Sequence, residues 1–280
     1  MKYIPDRIEE IEGARIQHGP LNRRIYLMKE GAADTQRLIA WMERLAAEKG
    51  YTKIFAKVSE AASGAFLKGG YEIEAAVPGF FGGRGKALFL CKYLLAARHR
   101  EEREEDLDRI RRLAERRTTA GRPAKAGFPF RIRPCGPEDA VCMAHLYERV
   151  FPSYPFPIDR PDYLSQTMAG DVRYFGVEHR GKLIALSSAE MDRENENAEM
   201  TDFATTPEWQ GNGFAFHLLE AMEKAMKREG IQTAYTIARA VSAGINIVFA
   251  GRGYRFGGRL INNTHISGCI ESMNVWYKSI

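Results

Sequence analysis

The sequence has few cysteines and no long apolar run. Its 280 residues include four cysteines, with no CxxC pair and no histidine at a metal-ligand spacing: Cys91, Cys135, Cys142 and Cys269. We therefore expect buried, reduced thiols and no metal. No stretch approaches the ~18 apolar residues of a membrane span, and the start of the chain lacks a signal-peptide pattern. These absences predict a cytoplasmic protein with no membrane partner.

Acidic residues are scarce near the C-terminal end. No aspartate lies beyond Asp202, and Glu271 is the only acid after Gly253. Residues 240–244 resemble the nucleophile turn of an α/β-hydrolase. That fold needs an acid and then a histidine downstream, but here Glu271 follows His265. The sequence therefore argues against a hydrolase.

The excess of positive charge is small. Lysine and arginine number 41 against 36 acids, a net charge of +5. Such an excess suits an anionic cofactor or RNA and by itself decides neither. In the most charged stretch, residues 98–106, the acids nearly cancel the bases, so we expect a solvated, ion-paired helix and no nucleic-acid partner.

The chain divides at residues 98–127, where the charged helix runs into a small, polar segment broken by Gly and Pro. We predict a first domain over residues 1–97 and a second over 128–280. At an offset of 183 residues, five identities relate the two halves: Val58, Ser59, Phe66, Gly70 and Tyr71 match Val241, Ser242, Phe249, Gly253 and Tyr254. The first half thus reads as a truncated copy of the second.

The second half alternates strands and helices. We predict strands over 130–133, 172–178, 182–191, 198–205, 232–238, 254–261 and 269–277, and helices over 137–150, 213–229 and 242–251. This order predicts an α/β (α+β) fold with a mixed central sheet and flanking helices.

The segment 205–215 lies between a strand and the most amphipathic helix. Gly211 and Gly213 allow a tight turn, and the first N–H groups of the helix lack partners inside it. Those groups and the positive end of the helix dipole favour a diphosphate.

The Gln-x-x-Gly-x-Ala pattern of Gln210 to Ala215, together with the element order, resembles the GNAT superfamily of acyl-CoA N-acyltransferases. The resemblance implies acetyl-CoA as co-substrate. It also implies ten cofactor-binding residues: Phe203, Ala204, Thr205, Gln210, Gly211, Asn212, Gly213, Phe214, Ala215 and Asn246.

Acetylation of an amine requires a base. An alkyl ammonium has a pKa near 10.4, so deprotonation at pH 7 costs about 4.6 kcal/mol. In GNAT folds the base usually lies on the strand before the phosphate loop, which here carries Glu199 and Asp202. Three positions apart on a strand, they should point to opposite faces, so we expect only one to face the substrate.

The chain departs from the superfamily at the tyrosine that commonly protonates the leaving thiolate. Phe249 stands at that position, and we expect it in the core. Tyr254, Cys269 or water remain as alternative proton donors.

Within the superfamily, the segments 235–240, 253–258, 261–266 and 271–278 resemble the β-lysine N6-acetyltransferases, as do 16–20 and 25–29. The resemblance implies acetylation of the N6 amine of 3,6-diaminohexanoate, whose product serves as a compatible solute under salt stress. Arg239 would grip the substrate carboxylate, while Asn262, Asn263 and Glu271 would bind its 3-amino group. The loop 151–157 would supply an apolar wall.

Two alternatives remain open. One is a GNAT enzyme that acts on another small amine or a protein lysine, and the other is a non-catalytic acyl-CoA sensor. We expect the first half to bind no CoA and to act as a docking or dimerising partner, which would make a homodimer.

Overall fold

The computed structural model describes residues 6–32, 34–116 and 129–280. The first half contains strands β1 (Arg7–Ile11), β2 (Ala14–Gly19), β3 (Arg24–Lys29), β4 (Lys53–Ser59), β5 (Glu72–Phe81) and β6 (Gly85–Tyr93), with helices α1 (Thr35–Lys49), α2 (Glu60–Lys68), α3 (Ala96–His99) and α4 (Glu104–Arg116). The predicted linker, 118–127, lies outside the described residues.

The second half contains strands β7 (Arg131–Pro134), β8 (Val172–His179), β9 (Lys182–Asp192), β10 (Asn197–Thr205), β11 (Thr233–Arg239), β12 (Arg255–Ile266) and β13 (Cys269–Ser279). Its helices are α5 (Ala140–Val150), α6 (Pro161–Met168), α7 (Phe214–Arg228) and α8 (Ala243–Gly251), and short 3-10 turns span Pro137–Asp139 and Pro207–Trp209. The predicted elements of this half are confirmed, although β12 runs five residues further. Strands β1 to β3 and helix α6 were not predicted.

The described strands form one 13-stranded mixed sheet in the order β1-β2-β3-β4-β6-β5-β12-β13-β11-β10-β9-β8-β7. In each half a parallel pair, β3–β4 or β10–β11, is followed by two antiparallel strands in the same order. The strand topology of the first half is therefore repeated in the second half, as the five identities at an offset of 183 residues predicted. The halves meet edge to edge through β5 and β12.

The junction between the halves is short. Only Gly258 and Ala75 are register partners across it. A Cβ on Gly258 would lie 2.1 Å from the carbonyl oxygen of Glu74, so the close approach of the two strands requires glycine there.

Apolar periodicity explains helix α7. Phe214, Leu218, Met222 and Met226 recur on one face and are buried against the sheet of the second half. At ~25 cal/mol per Å² of apolar area, each such side chain contributes about 2 kcal/mol when buried. This packing fixes the start of the helix beside the end of β10.

The predicted charged helix over 98–106 is interrupted, because α3 ends at His99 and α4 begins only at Glu104. Helix α4 is also less solvated than its charge predicted. It carries the expected ion pairs, such as Arg111 with Glu115 at 2.8 Å, but Leu107 and Ala114 are fully buried. Asp108 also binds Arg259 of β12 at 2.9 Å. The helix therefore covers part of the second half's core.

The thiols are free in the described chain, as expected, but only Cys91 is buried. The prediction of buried thiols is wrong for Cys142 and Cys269, which are exposed, and Cys135 is half-buried. Cys142 lies on the outer face of α5, and Cys269 begins β13 beside a turn, where no packing covers either residue.

Candidate active site

The site lies where two parallel strands separate. β10 and β11 are paired only from Asn197 to Glu199 and from Thr233 to Tyr235. Beyond these pairs each strand continues for several residues without the other. The separation opens a cavity of about 900 Å³ between them.

Both halves of the chain line this cavity. From the first half come Arg15, Arg24, Tyr26, Met28, Lys29, Phe55 and Lys57. From the second half come acidic and polar side chains of β9 to β11 and the aromatic loop: Glu190, Asp192, Glu199, Thr201, Asp202, Phe151, Tyr154, Phe156, Tyr235 and Arg239. The expected apolar wall from loop 151–157 is thus confirmed, and the first half forms the facing wall.

Two glutamates face each other in the cavity. Glu199 of β10 is the direct register partner of Glu190 on β9. Burial and the nearby Asp202 and Glu199 carboxyls raise the pKa of Glu190 to about 8. Burial also raises the pKa of Glu199. Like charges so placed cannot both ionise freely, so the pair retains a proton near neutral pH.

Asp202 reaches the same cavity because β10 bulges at this point. The β9–β10 register shifts between Thr201 and Ala204, and Asp202 adopts a left-handed φ of 56°. The extra residue reverses the alternation of side chains. The prediction that Glu199 and Asp202 point to opposite faces is therefore wrong, since both line the cavity.

Each oxygen of Asp202 accepts one short hydrogen bond. The Tyr154 hydroxyl donates to Oδ1 and the Ser188 hydroxyl donates to Oδ2, both at 2.5 Å. Burial raises the pKa of Asp202, and these two donors oppose that shift. Asp202 is thus held in one orientation, and Glu199 is held by hydrogen bonds from the Tyr235 hydroxyl and the Ile237 backbone.

A half-buried lysine of the first half faces these acids. The Nζ of Lys57 lies 3.1 Å from the Tyr235 hydroxyl. Burial lowers the pKa of Lys57, and Glu199 is the main charge that opposes the shift. Lys57 in turn opposes the rise in the pKa of Glu199. The charges of the two halves therefore meet inside the cavity.

The loop after β10 leads from the cavity to the start of α7. Gly211 and Gly213 have φ values of 79° and 81°, and within the described residues no side chain caps the helix. Nothing lies within 4 Å of the place where a Cβ of Gly211 would be. An open, uncapped helix N-terminus beside the cavity fits a diphosphate group.

Comparison with known proteins identifies the family. The model of the acetyltransferase (GNAT) family matches residues 142–246. Over 277 residues the chain is 39% identical to the "Beta-lysine N(6)-acetyltransferase" of Methanococcus maripaludis, with 98% of each chain covered. The chain belongs to the β-lysine N6-acetyltransferase family. It is an N-acetyltransferase with the GNAT fold.

Two further proteins show the breadth of the similarity. This acetyltransferase is 31% identical over 271 residues to the N-acetyltransferase YodP of Bacillus subtilis, with 95% of this chain and 96% of that one covered. The solved ribosomal-protein-S18-alanine N-acetyltransferase of Escherichia coli shares 17% identity with a TM-score of 0.46, over 54% of this chain and 94% of that one.

Half of the expected cofactor-binding residues line the cavity: Phe203, Thr205, Gln210, Gly211 and Ala215. The other expected residues of this segment are not in its wall: Ala204 and Phe214 are buried in the core, Gly213 is the helix cap, and Asn212 donates to the carbonyl of Trp209. These four residues contribute to the site through the backbone conformation of the loop.

Asn246 lies away from the cavity, in the interior. Its Nδ2 donates to the carbonyls of Arg239 and Ser242, and its Oδ1 accepts from Asn274 and Trp276. All four hydrogen-bonding positions of the amide are therefore filled. In this acetyltransferase Asn246 anchors the end of β11 to α8 and β13.

Two of the expected substrate-binding residues bind each other. The Nε and Nη2 of Arg239 donate to the two carboxylate oxygens of Glu271, at 2.9 and 2.6 Å. Arg239 lines the cavity, whereas the buried Glu271 stands behind it. Asn262 donates to the carbonyls of Arg98 and Arg100, and Asn263 lines the cavity.

The alternative proton donors lie elsewhere. Tyr254 is buried with Phe249, their rings 5.0 Å apart, and the expectation that Phe249 belongs to the core is confirmed. Cys269 lies 3.7 Å from Glu271. Neither Tyr254 nor Cys269 lines the cavity described here.

Sequence reasoning missed Glu190, Lys57, Arg24 and Tyr26. Lys57 offered a signal, since it interrupts an apolar strand, Lys53–Ser59, whose neighbours are buried. Glu190 offered none before its register opposite Glu199 was known.

In the described ranges no group of three or more His, Cys, Asp or Glu could hold a metal ion, and no helix there is long and apolar enough to cross a membrane.

Proposed function

We propose that the chain transfers the acetyl group of acetyl-CoA to the N6 amine of β-lysine, 3,6-diaminohexanoate. One observation carries the proposal. A single cavity presents the carboxyls of Glu190, Glu199 and Asp202 opposite the cations Arg24 and Lys57. A diamino acid with two ammonium groups and one carboxylate is complementary to that arrangement.

We assign the general base to Glu199. It lies at the last register pair before β10 and β11 separate, and the raised pKa of its carboxyl brings it closer to that of the amine it must deprotonate. Both oxygens of Asp202 are already occupied by Tyr154 and Ser188, so Asp202 orients the loop and contributes negative charge. The nucleophile is then the free N6 amine.

Acetyl-CoA, the co-substrate of GNAT enzymes, supplies the activated acetyl thioester. The residues present fit it: Gly211 leaves space for a diphosphate against the N–H groups of α7, and Phe203 and Ala215 give apolar contact. Beyond Glu199 and Tyr235 the two strands are no longer register partners. Backbone N–H groups at such a separation can donate to the carbonyl of an acetyl group and orient it.

A thiol-release assay tests the function. β-Lysine, cadaverine and a lysine-containing peptide are compared with the same acetyl-CoA. We expect the highest kcat/KM with β-lysine and acetylation at N6, read by mass spectrometry. A peptide that matches or exceeds β-lysine would favour the alternative of a protein-lysine acetyltransferase, and no release with any amine would favour an acyl-CoA sensor.

The product suggests a physiological role as a compatible solute. Acetylation at N6 removes one positive charge from β-lysine and leaves a zwitterion with no net charge. A neutral zwitterion accumulates without a counter-ion. We propose that the product acts in the cytoplasm during salt stress, and growth of a deletion strain at high salt, with and without added product, tests this.

A further inference from the structure

A buried guanidinium of the first half has no anionic partner. Arg24 is 4% exposed and lines the cavity. Its Nη1 donates to the carbonyl of Asn263, at 2.5 Å, and to the hydroxyl of Thr264. Its Nε is buried and has no acceptor in the described part of the chain. No Asp or Glu of that part forms an ion pair with it, and only the more distant charges of Asp6 and Glu74 favour its charged form. A buried charge without a directly paired counter-charge costs several kcal/mol.

The surroundings of Arg24 hold the guanidinium in place. Its Cζ lies 5.3 Å from the ring centre of Tyr26 and 5.6 Å from that of Phe55. Burial lowers the pKa of Arg24 to about 10, which leaves it charged at neutral pH. Beside it, the side-chain oxygen of Asn263 is buried without a donor. The Nε donor of Arg24 and the Oδ1 acceptor of Asn263 thus lack hydrogen-bond partners in the described part of the chain, and both residues line one end of the cavity.

The register of the strands gives the distance between Arg24 and the acidic end. Arg24 is the partner of Lys53, so it lies four residues before Lys57 on the neighbouring strand, roughly 13 Å along the sheet. Tyr26 stands between the two ends, because its register partner, Phe55, lies midway between Lys53 and Lys57. Extended β-lysine measures roughly 8 Å, which fits between these side chains.

We propose that Arg24 binds the carboxylate of the substrate, with Asn263 accepting from its 3-ammonium, so that the first half determines substrate specificity. The inference rests on the proposed function and deepens it. Arg239 is less suited to this contact, because Glu271 already occupies its Nε and Nη2. A carboxylate at Arg24 supplies a directly bound counter-charge and directs the distal amine toward Glu199.

The test compares β-lysine with its carboxamide, which keeps both amines and lacks the negative charge. For wild type we expect kcat/KM to favour β-lysine by roughly 10- to 100-fold, the effect of a charge-assisted hydrogen bond. Arg24→Met should lower both activities, because Arg24 also holds residues 263–264, but the preference for β-lysine should fall to within about threefold. Arg24→Lys should retain part of the preference. The matched control Arg239→Met should retain the wild-type preference.

Each result decides between the alternatives. If folded Arg24→Met keeps the wild-type preference for β-lysine over its carboxamide, the inference is overturned while the proposed function stands. If the methionine variant does not fold, an unchanged preference in Arg24→Lys has the same consequence. Loss of the preference in Arg239→Met alone would assign the carboxylate to Arg239 and also overturn it. If wild type acetylates neither compound, the proposed function fails and the inference fails with it.

Discussion

Replacing Glu190 with glutamine should stabilise the protein above neutral pH and leave its stability unchanged near pH 5. Glu190 lies in the cavity opposite Glu199, and its pKa is raised from 4.5 to about 8 by burial and by its acidic neighbours. The folded protein therefore holds a proton that the unfolded chain has already released. Folding stability falls as pH rises from about 4.5 to about 8.

The size of the effect follows from the shift. A difference of about 3.5 pKa units corresponds to at most about 4.8 kcal/mol. Glu190 is half-buried and shares its proton with Glu199 and Asp202, so water and coupling reduce the effect to about 2 kcal/mol. Glutamine keeps the shape and carries no charge. The variant should thus melt about 4 °C above wild type at pH 8.5.

Thermal unfolding at pH 5, 6.5 and 8.5 measures the effect. The exposed Glu48 of α1 provides the matched control, Glu48→Gln, which should show no such dependence on pH. If the difference in melting temperature between Glu190→Gln and wild type is the same at all three pH values, the pKa of Glu190 is not raised in the folded protein and the reasoning is refuted. The stabilised variant should have lower activity above about pH 8, where Glu190 of wild type is ionised and its negative charge favours the ammonium groups.

Three further predictions concern the remaining parts of the site. Glu199→Gln should lower kcat by about 10²- to 10⁴-fold with little change in KM for acetyl-CoA, because the base is lost. Gly211→Val places a branched side chain at a φ of 79°, which costs about 1–2 kcal/mol, and should raise the KM for acetyl-CoA at least 10-fold. Asn246→Leu leaves the buried donors of Asn274 and Trp276 unpaired and should destabilise the fold by at least 3 kcal/mol, measured by urea denaturation.

The outcomes that contradict these predictions are specific. A kcat within threefold of wild type in Glu199→Gln would move the base to Glu190 or Asp202. Gly230→Val is the control for the loop, because Gly230 follows α7 with a φ of 82° and open space around it. Equal acetyl-CoA binding by both valine variants would show that Gly211 only caps the helix. An unchanged urea midpoint in Asn246→Leu would contradict its anchoring role.

Local patterns were sufficient to predict the elements that carry the chemistry. The 3.6-residue periodicity of α7 and the two glycines before it indicated both the helix and the phosphate site, because these features depend on neighbouring residues alone. The position of Glu199 on the preceding strand was predicted for the same reason. The face of Asp202 was not, since the bulge depends on the register between β9 and β10.

Contacts between distant segments could not be predicted. The pairing of Arg239 with Glu271 and the four hydrogen bonds of Asn246 join residues from separate elements, and no spacing in the sequence encodes them. The same holds for Arg24 and Lys57, which enter the cavity only because the two halves share one sheet. Their chemistry was visible, but their location depended on the topology.

Because β5 and β12 share the single register pair of Ala75 with Gly258, the two halves of the chain form distinct parts of one sheet. The proposed base and the loop proposed for the diphosphate lie on one side of that seam, and the cavity-lining cations Arg24 and Lys57 lie on the other. We expect substitutions on β3 and β4 that keep Arg24 and Lys57 to alter which amine is accepted with little effect on the proposed base and on the loop before α7. An ancestral duplication whose first copy lost its phosphate loop would have gained a surface free to diverge, and directed evolution can use the same surface to obtain acetyltransferases for other diamines.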